Sequence, residues 1–232
     1  MRDILTTGLT GLGLDPAAAP ALERYAGALL EKNKVMNLTA ITQPDQVATL
    51  HLLDCAALLP LSPLAGKTVI DVGTGAGLPG MVLALLTPDA RFTLLDSLGK
   101  RIDFLQEVCD DMGLTHVTCV HARAEEFAGQ HREQYDVAVS RAVAQLNVLC
   151  ELTLPLVKVG GRFIAMKSTS SDQEIQEARS AVAQLGGRIA AVRDYDVPQT
   201  DVRHRAVIIE KGKATPRQFP RSFARIKKSP LR

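Results

Sequence analysis

Between residues 68 and 210 short runs of Val, Ile and Leu alternate with longer amphipathic stretches. Apolar runs of this length read as strands buried on both faces, and stretches with an apolar period near 3.6 read as helices. The alternation leaves room for few folds, above all a mostly parallel sheet covered by helices on both sides. Strands are expected at 68–72, 91–96, 117–121, 135–140, 161–167, 188–197 and 205–210. Helices are expected at 79–86, 100–112, 124–129, 146–157 and 172–185. No helix separates the last two strands, so they are expected to pair as an antiparallel hairpin.

The first sixty residues read differently, as helix and loop. Asp15-Pro16 is a helix start signal, followed at helical spacing by Leu22, Tyr25, Ala26, Leu29 and Leu30, with an end near Lys34. Pro44-Asp45 opens a second periodic stretch through Val47, Leu50, Leu53 and Leu58. His51 and Asp54, three apart, share one helix face. For that pair a packing hydrogen bond outweighs a catalytic role.

Composition narrows the setting. Apolar residues make up 46% and charged residues 22%, as in ordinary globular proteins. No apolar run approaches the roughly 18 to 20 residues of a membrane span, and no secretory signal is read at the N-terminus. Cys55, Cys109, Cys119 and Cys150 form no CxxC pair, and His116, His121 and His131 have no ligand spacing, so no metal is assigned. Four scattered thiols fit a reducing cytoplasm. The net charge of +2 hides an asymmetry: residues 211–232 hold eight Lys or Arg and no acid, leaving the rest at −6. Such a tail is a candidate arm for a polyanion.

"VIDVGTGAGLPG", residues 69–80, follows the first strand. Glycines at 73, 75, 77 and 80 allow a sharp turn and close approach of a ligand to the backbone. Read from Gly75, the stretch is the G-x-G-x-x-G of a dinucleotide site. Asp71 argues against that reading, because a carboxylate repels a pyrophosphate but attracts the ammonium and sulfonium of S-adenosylmethionine. Asp96, 21 residues beyond Gly75, has the spacing of an acid that binds a ribose diol. Ala124 and Glu125, past the third strand, are placed to meet an adenine edge. Arg141, in "SRAV" at the end of the fourth strand, can clamp a carboxylate or a phosphate. Seven strands with a terminal hairpin suit a class I methyltransferase sheet better than an all-parallel six-stranded dinucleotide domain.

These stretches, with "NLTAI" (37–41), "HLLDC" (51–55), "LLDSLGKRIDFL" (94–105), "SRAVAQL" and "TPRQFPR" (215–221), resemble the bacterial RsmG (GidB) family almost end to end. The resemblance implies a class I, Rossmann-like methyltransferase fold with a small helical N-terminal part. It implies S-adenosylmethionine as donor and, as acceptor, N7 of the guanine conventionally numbered 527 in the 530 loop of 16S rRNA. The family's cofactor contacts fall on Gly73, Leu78, Ala124, Glu125 and Arg141. Cys55 and Ser168 depart from the Ser and Gly that the family often carries there. The expected organisation is a helical region over 1–64, an S-adenosylmethionine-binding methyltransferase domain over 65–211 and a basic tail over 212–232. Partners would be 16S rRNA, as the small subunit or an assembly intermediate, met by a monomer.

Guanine N7 carries a lone pair and no proton, so its methylation needs alignment rather than a base. Arg141, Lys167, Arg123 and His51 are the candidates for holding the guanine and its strand. Arg217, Arg221, Arg225, Lys227 and Lys228, interleaved with Phe219 and Phe223, are the candidate RNA contacts, on an arm whose deletion should leave cofactor affinity alone. Two competing readings are an NAD-dependent oxidoreductase, from the glycine turn, and a non-catalytic rRNA-binding assembly factor.

Overall fold

The computed structural model describes residues 1–141 and 144–232. Ala142 and Val143, half of the SRAV stretch, lie outside the described residues.

The strands are β1 (Thr68–Val72), β2 (Arg91–Asp96), β3 (Val117–His121), β4 (Tyr135–Arg141), β5 (Val157–Ser168), β6 (Gly187–Asp196) and β7 (Arg203–Lys211). They form one sheet in the order β3-β2-β1-β4-β5-β7-β6. The first five pair in parallel, and β7 lies antiparallel between β5 and β6. Helices α1 (Arg2–Gly11), α2 (Ala19–Met36), α3 (Pro44–Val47) and α4 (Asp54–Ala56) precede the sheet, with a π-helical stretch over Ala48–Leu53. Within and after it come α5 (Gly80–Leu86), α6 (Gly99–Met112), α7 (Ala124–Gln130), α8 (Leu146–Thr153), α9 (Asp172–Gln184) and α10 (Phe223–Lys228).

Each predicted strand has its counterpart. The helix expected over 146–157 stops at Thr153, because Pro155 has no N–H to continue it and Leu154–Leu156 tighten into a 3-10 turn. Sequence reasoning missed α1, whose Gly and Thr residues are weak helix formers. Burial of Leu5 and Leu9 stabilises it, with Gly8 packed directly on Leu53.

Alternation along the strands divides the interior in two. Val69, Val137 and Val139 face a core shared with Leu22, Leu29 and Leu52 of the N-terminal helices. Ile70, Val72 and Ala138 face the other core, built with Leu149 of α8 and Ala178 of α9. Phe219 and Ile226 of the basic tail belong to this second core, 5% and 0% exposed. The tail is therefore a docked strap and not a free arm. Burying two such side chains stabilises the docking by about 3–6 kcal/mol. Arg132 adds hydrogen bonds to the carbonyls of Thr215 and Phe219, each at 2.5 Å.

Candidate active site

In a doubly wound sheet the ligand crevice lies beyond the carboxyl ends of the strands, where the strand order reverses. Here that point is between β1 and β4. A cavity of about 550 Å³ opens there, a size suited to a small ligand. Its floor is the turn after β1. Gly73 and Gly75 adopt φ of 73° and 59°, a region that disfavours side chains. Gly73 and Thr74 donate their N–H groups to the Leu95 carbonyl at 2.8 and 3.0 Å, which ties the turn to β2.

Asp96 stands at the end of β2 in the cavity wall, 5% exposed. Its Oδ2 accepts the Gly75 N–H at 2.9 Å and its Oδ1 the Leu98 N–H at 2.9 Å, with Arg101 Nη1 3.4 Å from Oδ2. A carboxylate offers about four acceptor directions, so room remains for a ligand hydroxyl. The same acid caps the neighbouring loop, the structural role that competes with ribose binding, and the geometry serves both.

Asp71 is a correction. Its side chain is fully buried beneath the turn and is not part of the cavity wall. The Oδ2 atom accepts from Thr74 Oγ1 and from the Gly80 N–H, both at 2.7 Å, joining the two ends of the glycine segment. Burial raises its pKa to about 6, against the lowering effect of those two hydrogen bonds. The residue shapes the turn and does not present its charge to a ligand. Gly77 is corrected likewise: a Cβ there would meet Leu105 at 2.8 Å and the Tyr25 hydroxyl at 2.9 Å, so it serves packing. Tyr25, read from sequence only as an apolar helix position, donates to the Ala76 carbonyl at 2.7 Å and braces the turn from α2.

At the β4 end the cavity meets a buried polar network. Arg141 Nη1 donates to Asp54 Oδ2 and to the Leu50 carbonyl, each at 3.3 Å, and Nη2 lies 3.2 Å from His51 Nδ1. Tyr195 and His204, from β6 and β7, donate to Asp54 Oδ1 at 2.9 and 2.8 Å. His51 Nε2 sits 2.7 Å from Thr39 Oγ1, and both residues reach the cavity. Burial, then the Arg141 charge, lowers the His51 pKa to about 4, so the ring is neutral near pH 7. The hydrogen bond to Asp54 raises that of His204. The expected packing role concerns the His51–Asp54 pair; here each of the two bonds Arg141, and His51 also faces the cavity. Thr39, inside "NLTAI", was not singled out; its motif was the only signal.

At the β3 end, Ala124 and Glu125 line the cavity, and Leu78 is also part of its wall. Arg123 is there too, but its Nε donates to Glu125 Oε1 at 2.6 Å and its guanidinium lies 4.7 Å from the centroid of the Phe223 ring. Lys167 is a further correction. Its Nζ donates to the Ala144 carbonyl and Glu174 Oε1, each at 2.6 Å, away from the cavity. In the tail, Arg221 is committed to the fully buried Glu151 through Nε and Nη2 at 2.8 and 2.6 Å. Arg217, Arg225, Lys227 and Lys228 stay exposed, while Phe219 is buried and Phe223 lines the cavity. The two phenylalanines are thus not free platforms for RNA bases. Among the described residues no group of His, Cys, Asp or Glu is placed to hold a metal ion, and no helix is long and apolar enough to cross a membrane.

A seven-stranded sheet with this terminal hairpin and this crevice defines a class I methyltransferase. Solved structures share the fold at low identity: TrmN from Thermus thermophilus, at 23% identity and TM-score 0.53 over 68% of this chain and 48% of that one. MtNAS, in its complex with MTA and tNA, superposes with TM-score 0.55 at 17% identity, over 82% of this chain and 70% of its own. The family model for rRNA small subunit methyltransferase G matches residues 18–202. "Ribosomal RNA small subunit methyltransferase G" of Clostridium botulinum (strain Loch Maree / Type A3) is 46% identical over 211 residues, 90% of this chain and 88% of the relative. The protein of the same name from Alkaliphilus metalliredigens is 45% identical over 99% of this chain and 98% of its own length. The chain belongs to the rRNA small subunit methyltransferase G family, and neither the oxidoreductase nor the non-catalytic reading is favoured.

Proposed function

We propose that this enzyme transfers a methyl group from S-adenosylmethionine to N7 of a guanine in 16S rRNA, the base conventionally numbered 527 in the 530 loop. The observation that carries the reading is one cavity with Asp96 in its wall and the Arg141–Asp54 pair at its β4 end, in a chain of this family. The residues fit the donor. Asp96 keeps acceptor capacity for a ribose hydroxyl, and Gly75 leaves open backbone beside it. Gly73, Leu78, Ala124 and Glu125 border the same space.

When bound, S-adenosylmethionine supplies an electrophilic methyl on a sulfonium. The chain's own residues then have three tasks. Asp96 and the glycine turn hold the nucleoside part by hydrogen bonds. Arg141 can donate to a carboxylate, and its pairing with Asp54 offsets a charge that would otherwise repel a sulfonium. His51, neutral near pH 7, can exchange hydrogen bonds with an incoming base but supplies no positive charge. No residue need remove a proton, because N7 has none, and rate comes from alignment and exclusion of water. Exposed Arg217, Arg225, Lys227 and Lys228 form a basic edge for RNA phosphates. The protein works as a cytoplasmic monomer on the small subunit or its assembly intermediate.

The test is transfer of labelled methyl to unmodified small subunits and to deproteinised 16S rRNA, mapped by N7-specific strand cleavage. One N7-methylguanine in the 530 loop is the expected product. No transfer to either substrate, with S-adenosylhomocysteine binding intact, overturns the acceptor.

A further inference from the structure

We infer that Phe223, carried by the basic C-terminal strap, is a cofactor-binding residue that forms the aromatic wall of the purine site. The inference rests on the donor assignment above and adds to it a residue far along the chain from the glycine turn, on another structural layer.

The sheet order sets the direction of the ligand. Along the carboxyl ends of the strands the sequence is Arg141 on β4, the glycine turn on β1, Asp96 on β2 and Arg123–Ala124 after β3. With the ribose at Asp96 and the amino-acid end beside Arg141, the purine extends toward the β3 end. A purine is flat and mostly apolar on its faces, and it favours an aromatic or aliphatic wall. Among the described residues lining the cavity, Phe223 is the only phenyl ring, and His51 lies at the opposite end.

The ring is held in place. Arg123 lies over one part of it at 4.7 Å from the centroid, and Glu125 fixes the guanidinium at 2.6 Å. Two residues before, Arg221 donates its backbone N–H at 2.9 Å and its guanidinium to Glu151, which is 0% exposed. Three residues after, Ile226 is fully buried in the second core. A side chain flanked by two such anchors is organised before any ligand arrives, which lowers the entropy cost of binding. The strap thus contributes to the cofactor site, and deleting residues 212–232 would damage donor binding as well as RNA affinity.

The chain contains no Trp, so Phe223→Trp introduces a single indole as reporter. Its emission is followed while S-adenosylhomocysteine, adenosine or methionine is added, beside calorimetry of S-adenosylhomocysteine on wild type and Phe223→Ala. The expected results are a saturable emission change with S-adenosylhomocysteine and adenosine but not methionine, and affinity about tenfold weaker in Phe223→Ala. The urea midpoint of Phe223→Ala separates lost contact from lost fold; if that variant does not fold, the Trp titration decides alone. A silent indole, with calorimetry registering S-adenosylhomocysteine binding by the same variant, overturns the inference and leaves the donor assignment standing. Absence of S-adenosylhomocysteine binding by wild type overturns both.

Discussion

The two ends of the cavity are built on different principles. At the β2–β3 end the groups offered to a ligand are the Asp96 carboxylate held by backbone N–H donors, the Arg123–Glu125 ion pair, short loop residues and a phenyl ring. At the β4 end they are a guanidinium, a neutral imidazole and a hydroxyl, backed by a carboxylate that is 1% exposed. The first end is suited to a neutral nucleoside, where shape and a few hydrogen bonds suffice. The second must manage charge in a dry place, and it does so by collecting partners from three other parts of the chain around Asp54. Mutations at the two ends should therefore fail differently, by lost affinity at one and by lost folding at the other.

The largest effect is expected from Arg141→Ala. It leaves the buried Asp54 facing only Tyr195 and His204, and removing one partner of a buried pair costs about 3–5 kcal/mol. Urea unfolding should register that loss together with the loss of methyl transfer. Arg141→Lys keeps the charge but not the fork of donors, and should hold more of the stability than of the activity. Equal recovery of both would break the contrast, because the β4 end would then act by charge alone.

Asp96→Ala should act in the opposite sense, lowering S-adenosylhomocysteine affinity about 100-fold through lost charge-assisted hydrogen bonds, with a smaller change in unfolding midpoint. Calorimetry checks it, and near-normal binding would remove Asp96 from the ribose.

A third expectation concerns the strap beside the nucleoside end. Changing exposed Arg217, Arg225, Lys227 and Lys228 together to Gln should flatten the dependence of RNA affinity on salt by about 3 in the log–log slope, for about four phosphates on a single strand. Donor affinity should hold, since Phe223 and its anchors are retained. An unchanged slope would place the RNA on another face.

The smallest effect is the pH dependence contributed by the two histidines of the β4 end. The folded pKa of His204 is raised by Asp54, so its contribution is fully present below its unfolded value near 6.5 and is lost as pH rises through the folded one. His51 acts oppositely. With its folded pKa lowered to about 4, stability falls as pH drops from about 6.5 toward 4, where the unfolded ring binds the proton first. Urea unfolding from pH 5 to 8.5 should show a decline on the alkaline side that His204→Gln abolishes and Phe223→Ala leaves in place. A decline that persists in His204→Gln would assign it to another group.

The legible parts of the site were those whose partners are near in sequence. Ala124 and Glu125 follow a strand that alternation identifies, and Asp96 is found by its distance from Gly75. Thr39, Tyr25 and Phe223 were missed in their roles because each acts on a distant segment. Tyr25 reaches Ala76 across 51 positions, and its helical spacing reads as core whether or not its hydroxyl has a partner.

By itself the sequence determined the order of the strands and of the helices between them, the glycine turn and the basic charge of the C-terminal segment. Those properties follow from apolar period, β-branched runs and positive φ, which are set by side chains within a few positions of each other. Tertiary structure alone decided that Asp71 points beneath the turn, that Lys167 is taken by Glu174, and that Arg141 pairs with Asp54, 87 positions away. It also decided that the basic tail is docked, through Arg221 and Glu151, 70 positions apart. Which of several like-charged residues finds the buried partner depends on the packing of distant layers, since a buried charge is tolerated only where another element supplies its counterpart. Local pattern names the candidates, and burial chooses among them.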